Sequence, residues 1–277
     1  MLVDEAAEVT ANTRLSVHDN VVSLAAPAIA AAAAPGQFVM VKPAPGVDPL
    51  LRRPFSIFEI LRDAAGAPVG ISLLNKRVGV GTSQLYGARP GDRISCLGPL
   101  GQPFVPIDPP GEAWMVAGGV GLAPFATLTE ALAARGTRRT LFYGGRTKDD
   151  LYYVQFFEQH GARVVLATED GSRGDTGRIT APLERALASA AGRPITLYAC
   201  GPTPMMHAVA RLGARAGLPV FASLEPVMGC GLGGCYSCVV KVRRGSGSHF
   251  VRSCIDGPVF DASTVVWDTL LSDYVTT

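Results

Sequence analysis

Up to residue 107 the apolar positions come in short runs with period-two alternation: Val21 to Leu24, Gln37 to Val41, Phe55 to Ile60, Val69 to Leu74 and Arg93 to Leu97. Gly and Pro fill each gap, as in Pro35-Gly36, Pro90-Gly91 and Gly98-Pro99. Short strands at this spacing predict a small antiparallel β-barrel or sandwich. After a linker at Pro106 to Gly111 the period changes. Strand-like Trp114 to Ala117, Thr140 to Tyr143, Arg163 to Ala167, Ile195 to Ala199 and Pro219 to Ser223 alternate with helical stretches at Pro124 to Arg135, Asp149 to Gln159, Ala181 to Ala190 and Pro204 to Ala216. Five strands alternating with helices predict a parallel, doubly wound α/β sheet with its ligand edge at the strand C-termini. The last 50 or so residues are rich in Gly and Cys with little periodicity, which predicts a fold held by metal rather than by a core.

Composition agrees with this division. A chain of 277 residues is long enough for about two domains and a small third unit. The expected boundaries are 1–107, 112–222 and 223–277. Apolar residues make up 48% and the net charge is +2, so a packed core is expected and no field for nucleic acid or anionic lipid is present. No stretch is long and apolar enough to span a bilayer, and acids stand where a secretory signal needs bases. A cytoplasmic, reducing location is therefore expected, where cysteines serve as ligands more often than as disulfides.

Four of the six cysteines are spaced Cys230-x4-Cys235-x2-Cys238-x15-Cys254. Three thiolates on one tight loop and a fourth further on is the plant-type [2Fe-2S] arrangement. The glycines at 229, 231, 233 and 234 let such a loop wrap closely and aim N–H groups at sulfur. A four-thiolate zinc knuckle and disulfides are the alternatives. Zinc sites, however, come mostly as two separated C-x2-C pairs.

Two further sets of residues have the chemistry of nucleotide sites. Arg53-Pro54-Phe55-Ser56 opens a predicted strand, where Arg53 can fork a diphosphate and Ser56 can hydrogen-bond a polar ring edge. Leu74-Asn75-Lys76 and then Gly79-Val80-Gly81-Thr82 follow, directly before a short helical stretch whose free N–H groups suit phosphate. In the second half, Gly118-Gly119-Val120-Gly121-Leu122-Ala123-Pro124 joins the first strand to the first helix. It is not the G-x-G-x-x-G fingerprint, but a glycine turn at a strand end admits pyrophosphate for the same reason. Cys200-Gly201-Pro202 ends the fourth strand at the same edge. Glu169 and Asp170 end the third, where a carboxylate can accept from a ribose diol and repel the 2′-phosphate of NADP; Arg173 nearby works against that. Cys96 has no companion motif and reads as packing.

The order of these motifs resembles the ferredoxin reductase superfamily of flavoenzymes. The resemblance implies that FAD lies along Arg53, Pro54, Phe55, Ser56, Leu74, Asn75, Lys76, Gly81 and Thr82. It also implies that NAD lies along Gly118, Gly119, Gly121, Pro124, Cys200, Gly201 and Pro202, with Cys200 near the nicotinamide; Glu169 and Asp170 join this site by their strand-end position alone. Phe55 stands where many members have Tyr, so that phenol is missing. With SLEPVMGCGLGGCYSC near the end, nearly the whole chain is similar to the electron-transfer subunits of class 1B dihydroorotate dehydrogenases. That implies a heterotetramer of two such chains with two FMN-containing catalytic subunits, and electrons running from FMN through the cluster and FAD to NAD+. Related reductase subunits of transhydrogenases, sulfur reductases and hydrogenases are the alternative, and a zinc-stabilised nucleotide-binding module without redox turnover is a third reading. No Ser/His/Asp set is present and the four histidines are scattered, so the pyrimidine chemistry would belong to the partner.

Overall fold

The longest strand, β1 (Val3–Arg14), lies inside the first sheet, with β2 (Asp19–Ala25) on one side and β7 (Arg93–Leu100) on the other. The computed structural model in which it is seen describes residues 2–44, 46 and 48–275. The other strands of this sheet are β3 (Phe38–Lys42), β4 (Arg53–Ser56), β5 (Glu59–Arg62) and β6 (Pro68–Lys76). The order is β4-β3-β7-β1-β2-β6-β5, and all pairs are antiparallel. The sheet is a half-barrel, open at β4 and β5. Pro54 has no N–H to give a further neighbour, so it suits the edge it occupies. The expected strand from Phe55 to Ile60 is two strands, because the chain crosses the seam at Ile57 and Phe58, which are held by Gln37 and Ser72 carbonyls. Two short helices, α1 (Pro27–Ala32) and α2 (Val80–Gly87), belong to the same unit. Cys96 is buried in its core, as packing.

The second sheet carries β8 (Glu112–Gly118), β9 (Arg138–Gly145), β10 (Arg163–Thr168), β11 (Asp175–Thr176), β12 (Ile195–Cys200) and β13 (Val220–Ser223). These strands are parallel, in the order β11-β10-β9-β8-β12-β13. Helices α3 (Ala123–Ala134), α4 (Val154–Gln159), α5 (Thr180–Ala188) and α6 (Thr203–Ala216) connect them. The strand order reverses between β8 and β12, and the crevice at that switch point is where such sheets hold ligands. The single helix expected over Asp149 to Gln159 is broken. A 3-10 turn at Lys148–Asp150 precedes α4, and Tyr153 between them is left-handed (φ 55°). Tyr143 Oη donates to the Asp150 carbonyl, and Tyr152 Oη donates to buried Asp19 of the first sheet at 2.8 Å. Contacts with the neighbouring sheet thus override local helix propensity.

The C-terminal segment departs most from expectation. It contains a hairpin of β14 (Val239–Arg244) and β15 (Gly247–Arg252), then α7 (Ser253–Asp256), β16 (Val259–Asp261) and α8 (Trp267–Val275). Val240, Val242, Val251, Phe260, Val265 and Trp267 are buried in the same apolar cluster as β12, β13 and α6. β16 adds antiparallel to β13 as the last strand of the parallel sheet. An apolar core therefore holds this segment, where the sequence pattern had suggested that metal alone would. Among the described residues no helix is long and apolar enough to cross a membrane.

Candidate functional site

The hairpin explains the fifteen-residue gap in the cysteine spacing. Cys238 directly precedes β14, Val239 pairs with Arg252, and Ser253 N–H donates to the Cys238 carbonyl at 2.9 Å. The two strands thereby return the chain to its start and set Cys254, on α7, beside Cys238. Both are buried, Cys230 is half-buried and Cys235 is exposed. All six cysteines are free thiols. Cys230 is next to Cys235 and Cys238 next to Cys254, and Cys230 also acts on Cys254. Among the described residues no three Cys, His, Asp or Glu side chains converge on a single ion. The spacing of the four, three on one loop and the fourth brought back by the hairpin, suits a [2Fe-2S] cluster better than the two separated C-x2-C pairs of most zinc sites. The Ser237 hydroxyl, 3.2 Å from Cys235 Sγ, and its N–H bring that thiol down to about 6, while burial and the neighbouring Cys238 push Cys254 up to about 12.

The loop is seated on the first sheet. Cys238, Cys254 and Met228 pack with Phe38, Met40, Leu97 and Leu100 of β3 and β7. Gly231 is left-handed (φ 72°), and a Cβ there would meet Met40 Cγ at 2.5 Å. Met40 in turn pairs with Pro54 of β4. One residue therefore separates the cysteine loop from the Arg53–Ser56 strand.

Of the two arginines before Pro54, Arg52 is tied to Asp4 and Ser95 at 2.8 and 2.7 Å. Arg53 is exposed, and among the described residues its guanidinium bonds only the Leu51 and Arg52 carbonyls. The first turn of α2 faces it: a Cβ on Gly81 would lie 3.6 Å from Arg53 Cγ. Thr82 Oγ1 accepts from the Val78 and Gly79 N–H groups, which locks the turn. Buried Asn75 donates to Asn20 and to the Thr82 carbonyl, and Asn12 donates to the Leu85, Tyr86 and Ala88 carbonyls. The Asn75 amide thus positions the first turn of α2, a role shared with Asn12 and Asn20 that the sequence did not reveal. Phe55 and Ser56 are half-buried and Leu74 is buried. Lys76 reaches the other unit, its ammonium 3.9 Å from Asp150. An arginine without a carboxylate partner, opposite a glycine turn with free N–H groups, fits a diphosphate of the FAD type.

At the switch point the two glycine motifs interlock. A Cβ on Gly118 would meet Pro202 Cδ at 2.7 Å, one on Gly121 the Cys200 carbonyl oxygen at 2.5 Å, and one on Gly201 the Gly118 nitrogen at 2.9 Å. A 3-10 turn over Gly119–Leu122 leads into α3, with Pro124 buried in its first turn. Cys200 is wholly buried, and burial holds its thiol well above the ordinary range, so it is neutral. Its Sγ lies 3.8 Å from Oε1 of Glu225, two residues past β13. Glu225 is exposed and reaches the switch point only through this contact. The mass of protein around it raises its carboxyl above the usual range, and the Cys200 contact opposes that rise. Sequence reasoning missed Glu225. Its only signal is an acid placed between an apolar strand and the cysteine loop. At the end of β10, Asp170 Oδ1 accepts from Ser172 N–H and Oγ at 3.0 and 2.6 Å, which lowers its pKa. Among the described residues exposed Glu169 has no side-chain hydrogen bond or ion pair, which leaves it the freer acceptor at that strand end.

Comparison with known proteins adds three findings. The signature of the iron-sulfur cluster binding domain of dihydroorotate dehydrogenase B matches residues 225–266, and that of an oxidoreductase NAD-binding domain matches 115–211. The electron transfer subunit of dihydroorotate dehydrogenase B (NAD(+)) from Desulforamulus reducens is 40% identical over 244 residues, covering 88% of this chain and 90% of that protein. Its counterpart from Geobacillus thermodenitrificans is 42% identical over 236 residues, with 84% and 86% covered. Among solved structures, an NADH-dependent reduced ferredoxin-NADP oxidoreductase superposes over 99% of this chain and 94% of its own, with TM-score 0.84 and 28% identity.

Proposed function

Because the chain belongs to the electron transfer subunits of dihydroorotate dehydrogenase B (NAD(+)), we propose that its three sites form one relay, with NAD+ at one end and a catalytic partner subunit at the other. The chain is an oxidoreductase component of pyrimidine biosynthesis. When bound, the [2Fe-2S] cluster and FAD supply the conversion between single electrons and the electron pair of a hydride. Cys230, Cys235, Cys238 and Cys254 hold the cluster. Arg53, the first turn of α2 and its Gly81 hold the FAD diphosphate, with Pro54, Phe55, Ser56 and Leu74 along the flavin. Gly118, Gly119, Gly121, Gly201 and Pro202 form the dinucleotide crevice, Cys200 sits beside the nicotinamide, and Glu169 with Asp170 faces the adenosine ribose. The observation that carries this reading is the contact of Gly231 with Met40, which places the cysteine loop one strand from Arg53–Ser56.

The same proposal divides the chain into an FAD unit (1–107), an NAD unit (112–222) and a cluster segment (223–277). The partner contains FMN, and the assembly is two plus two in the cytoplasm, whose reducing conditions keep the thiolates available. Exposed Leu232, Tyr236 and Ile255 surround the cysteine loop and supply an apolar docking face. The test is co-expression with the FMN-dependent dihydroorotate dehydrogenase subunit of the same organism, followed by an assay of NAD+ reduction by dihydroorotate. Co-purification with turnover is expected, and Cys235→Ser should abolish turnover while NADH still reduces bound FAD. A coloured protein that neither binds that subunit nor turns over would move the relay to another redox complex.

A further inference from the structure

We propose that Arg252 is the positioning residue of the cysteine loop and that its fixed positive charge stabilises the cluster in the reduced form, an inference that rests on the four cysteines holding a [2Fe-2S] cluster. Residues 226–240 contain no Asp, Glu, Lys, Arg or His, so the loop's charge environment is set from outside. Arg252 ends β15, two residues before Cys254. Its Nη1 donates to the Gly233 carbonyl at 2.9 Å, and its Cζ stands 5.3 Å from the centre of the Tyr236 ring. One guanidinium therefore grips the loop on both sides of Cys235.

Two details tie this grip to the sulfurs. A Cβ on Gly233 would meet Ile255 Cγ1 at 2.8 Å and Arg252 Nη1 at 3.2 Å, so the residue whose carbonyl Arg252 holds is seated against the side chain next to the fourth ligand. Tyr236 is left-handed (φ 57°), a conformation unfavourable for a non-glycine residue. The cation–π contact with Arg252 works against that cost.

The charge itself has a direct consequence. Among the described residues no carboxylate lies within ion-pair distance of the Arg252 guanidinium; its neighbour Asp256 binds the Arg252 backbone N–H instead, at 3.1 Å. Reduction adds one negative charge to the cluster, and an unneutralised cation beside it favours that state. Net charge and hydrogen bonds to sulfur are among the factors that set such potentials.

The test uses the full chain loaded with FAD and cluster, as wild type, Arg252→Gln and Arg252→Lys. Iron and acid-labile sulfide are measured, and the cluster midpoint by EPR-monitored titration. We expect Arg252→Gln to keep its cluster but to fall about tenfold in reduced-to-oxidised ratio at fixed potential, a downward shift of about 59 mV. Arg252→Lys, which keeps the charge, should stay near wild type. Equal midpoints in all three, an upward shift in Arg252→Gln, or an equal fall in both variants would overturn the assignment. Loss of iron from both variants in chains that still hold FAD would also overturn it and leave Arg252 a purely structural clasp. Absence of a [2Fe-2S] signal from the wild type would instead bring down the cluster reading and this inference with it.

Discussion

Replacing Gly121 by alanine asks whether the dinucleotide crevice depends on backbone contact between its two motifs. The new methyl would stand 2.5 Å from the Cys200 carbonyl oxygen and 2.6 Å from its carbonyl carbon and from Gly201 Cα. All three are backbone atoms of the β12 end, so no flexible side chain can swing aside. Overpacking of this kind costs typically 1–3 kcal/mol. The cheapest relief is for the 3-10 turn to lift off Cys200-Gly201, which widens the crevice. At about 1.4 kcal/mol per factor of ten, NAD+ and NADH should bind about 10- to 100-fold more weakly. Bound FAD and the cluster spectrum should be unaffected, since the atoms a Gly121 Cβ would meet belong to Cys200 and Gly201. Gly119→Ala is the control: Gly119, unlike Gly121, is left-handed (φ 55°), and a Cβ there meets nothing within 4 Å, so it carries only the backbone cost. Isothermal titration with NADH on both variants decides. Wild-type affinity and melting temperature for Gly121→Ala would refute the interlock.

Arg53→Ala should weaken FAD retention about 10- to 100-fold, since a hydrogen bond to a charged group contributes about 1.5–3 kcal/mol; full flavin occupancy after dialysis would remove Arg53 from the site. Glu225→Gln should flatten the pH dependence of NAD+ binding. With its carboxyl raised by the protein around it, the wild type loses the Glu225 anion as pH falls through that raised value, and affinity for the cationic nicotinamide falls with it. The variant should show the low-pH affinity throughout, and an unchanged pH profile would count against the carboxylate's role. Trp267→Ala should cost about 3–5 kcal/mol, because the ring is buried, stacks on His207 and donates Nε1–H to the Ala262 carbonyl at 3.0 Å. Thermal unfolding of chelator-treated protein reads it, and a melt unmoved by the change would mean that metal, after all, holds this segment.

The site motifs were more legible in the sequence than the elements that carry them. Glycine runs at strand ends and thiols at fixed spacing announce their chemistry locally, so the cysteine loop and both nucleotide motifs stood out. The strand from Val3 to Arg14 did not, although it pairs on both sides. Its inward residues are mostly small or polar, and only Ala7 and Val9 are deeply buried, so its alternation carries little hydrophobic contrast. The β14 alternation of Val240 and Val242 inward with Lys241 and Arg243 outward is short and lies amid glycines and arginines. Glu225, Asn12 and Asn20 act through partners distant in the chain or on other elements, and no local pattern marks that. The break at Tyr153 has the same origin: Phe58, from the other sheet, meets its ring edge-on at 4.7 Å.

The return of the chain through β16 has a kinetic meaning. Leu224 N–H meets the Pro258 carbonyl, Ala262 N–H meets that of Val220, and Gln102 N–H reaches the Gly257 carbonyl from the first unit. The cysteine segment is thus sewn to both of its neighbours rather than tethered to them by a leash. A relay sewn in this way has no swinging arm, and the gaps its electrons cross are constant from one turnover to the next. In the proposed relay, timing then falls to what arrives and departs, the dinucleotide and the partner subunit. For the engineer the same stitching means that residues 223–277 are not a cassette: transplanted alone, they would leave behind a bare edge on β13 and carry away half of a shared core.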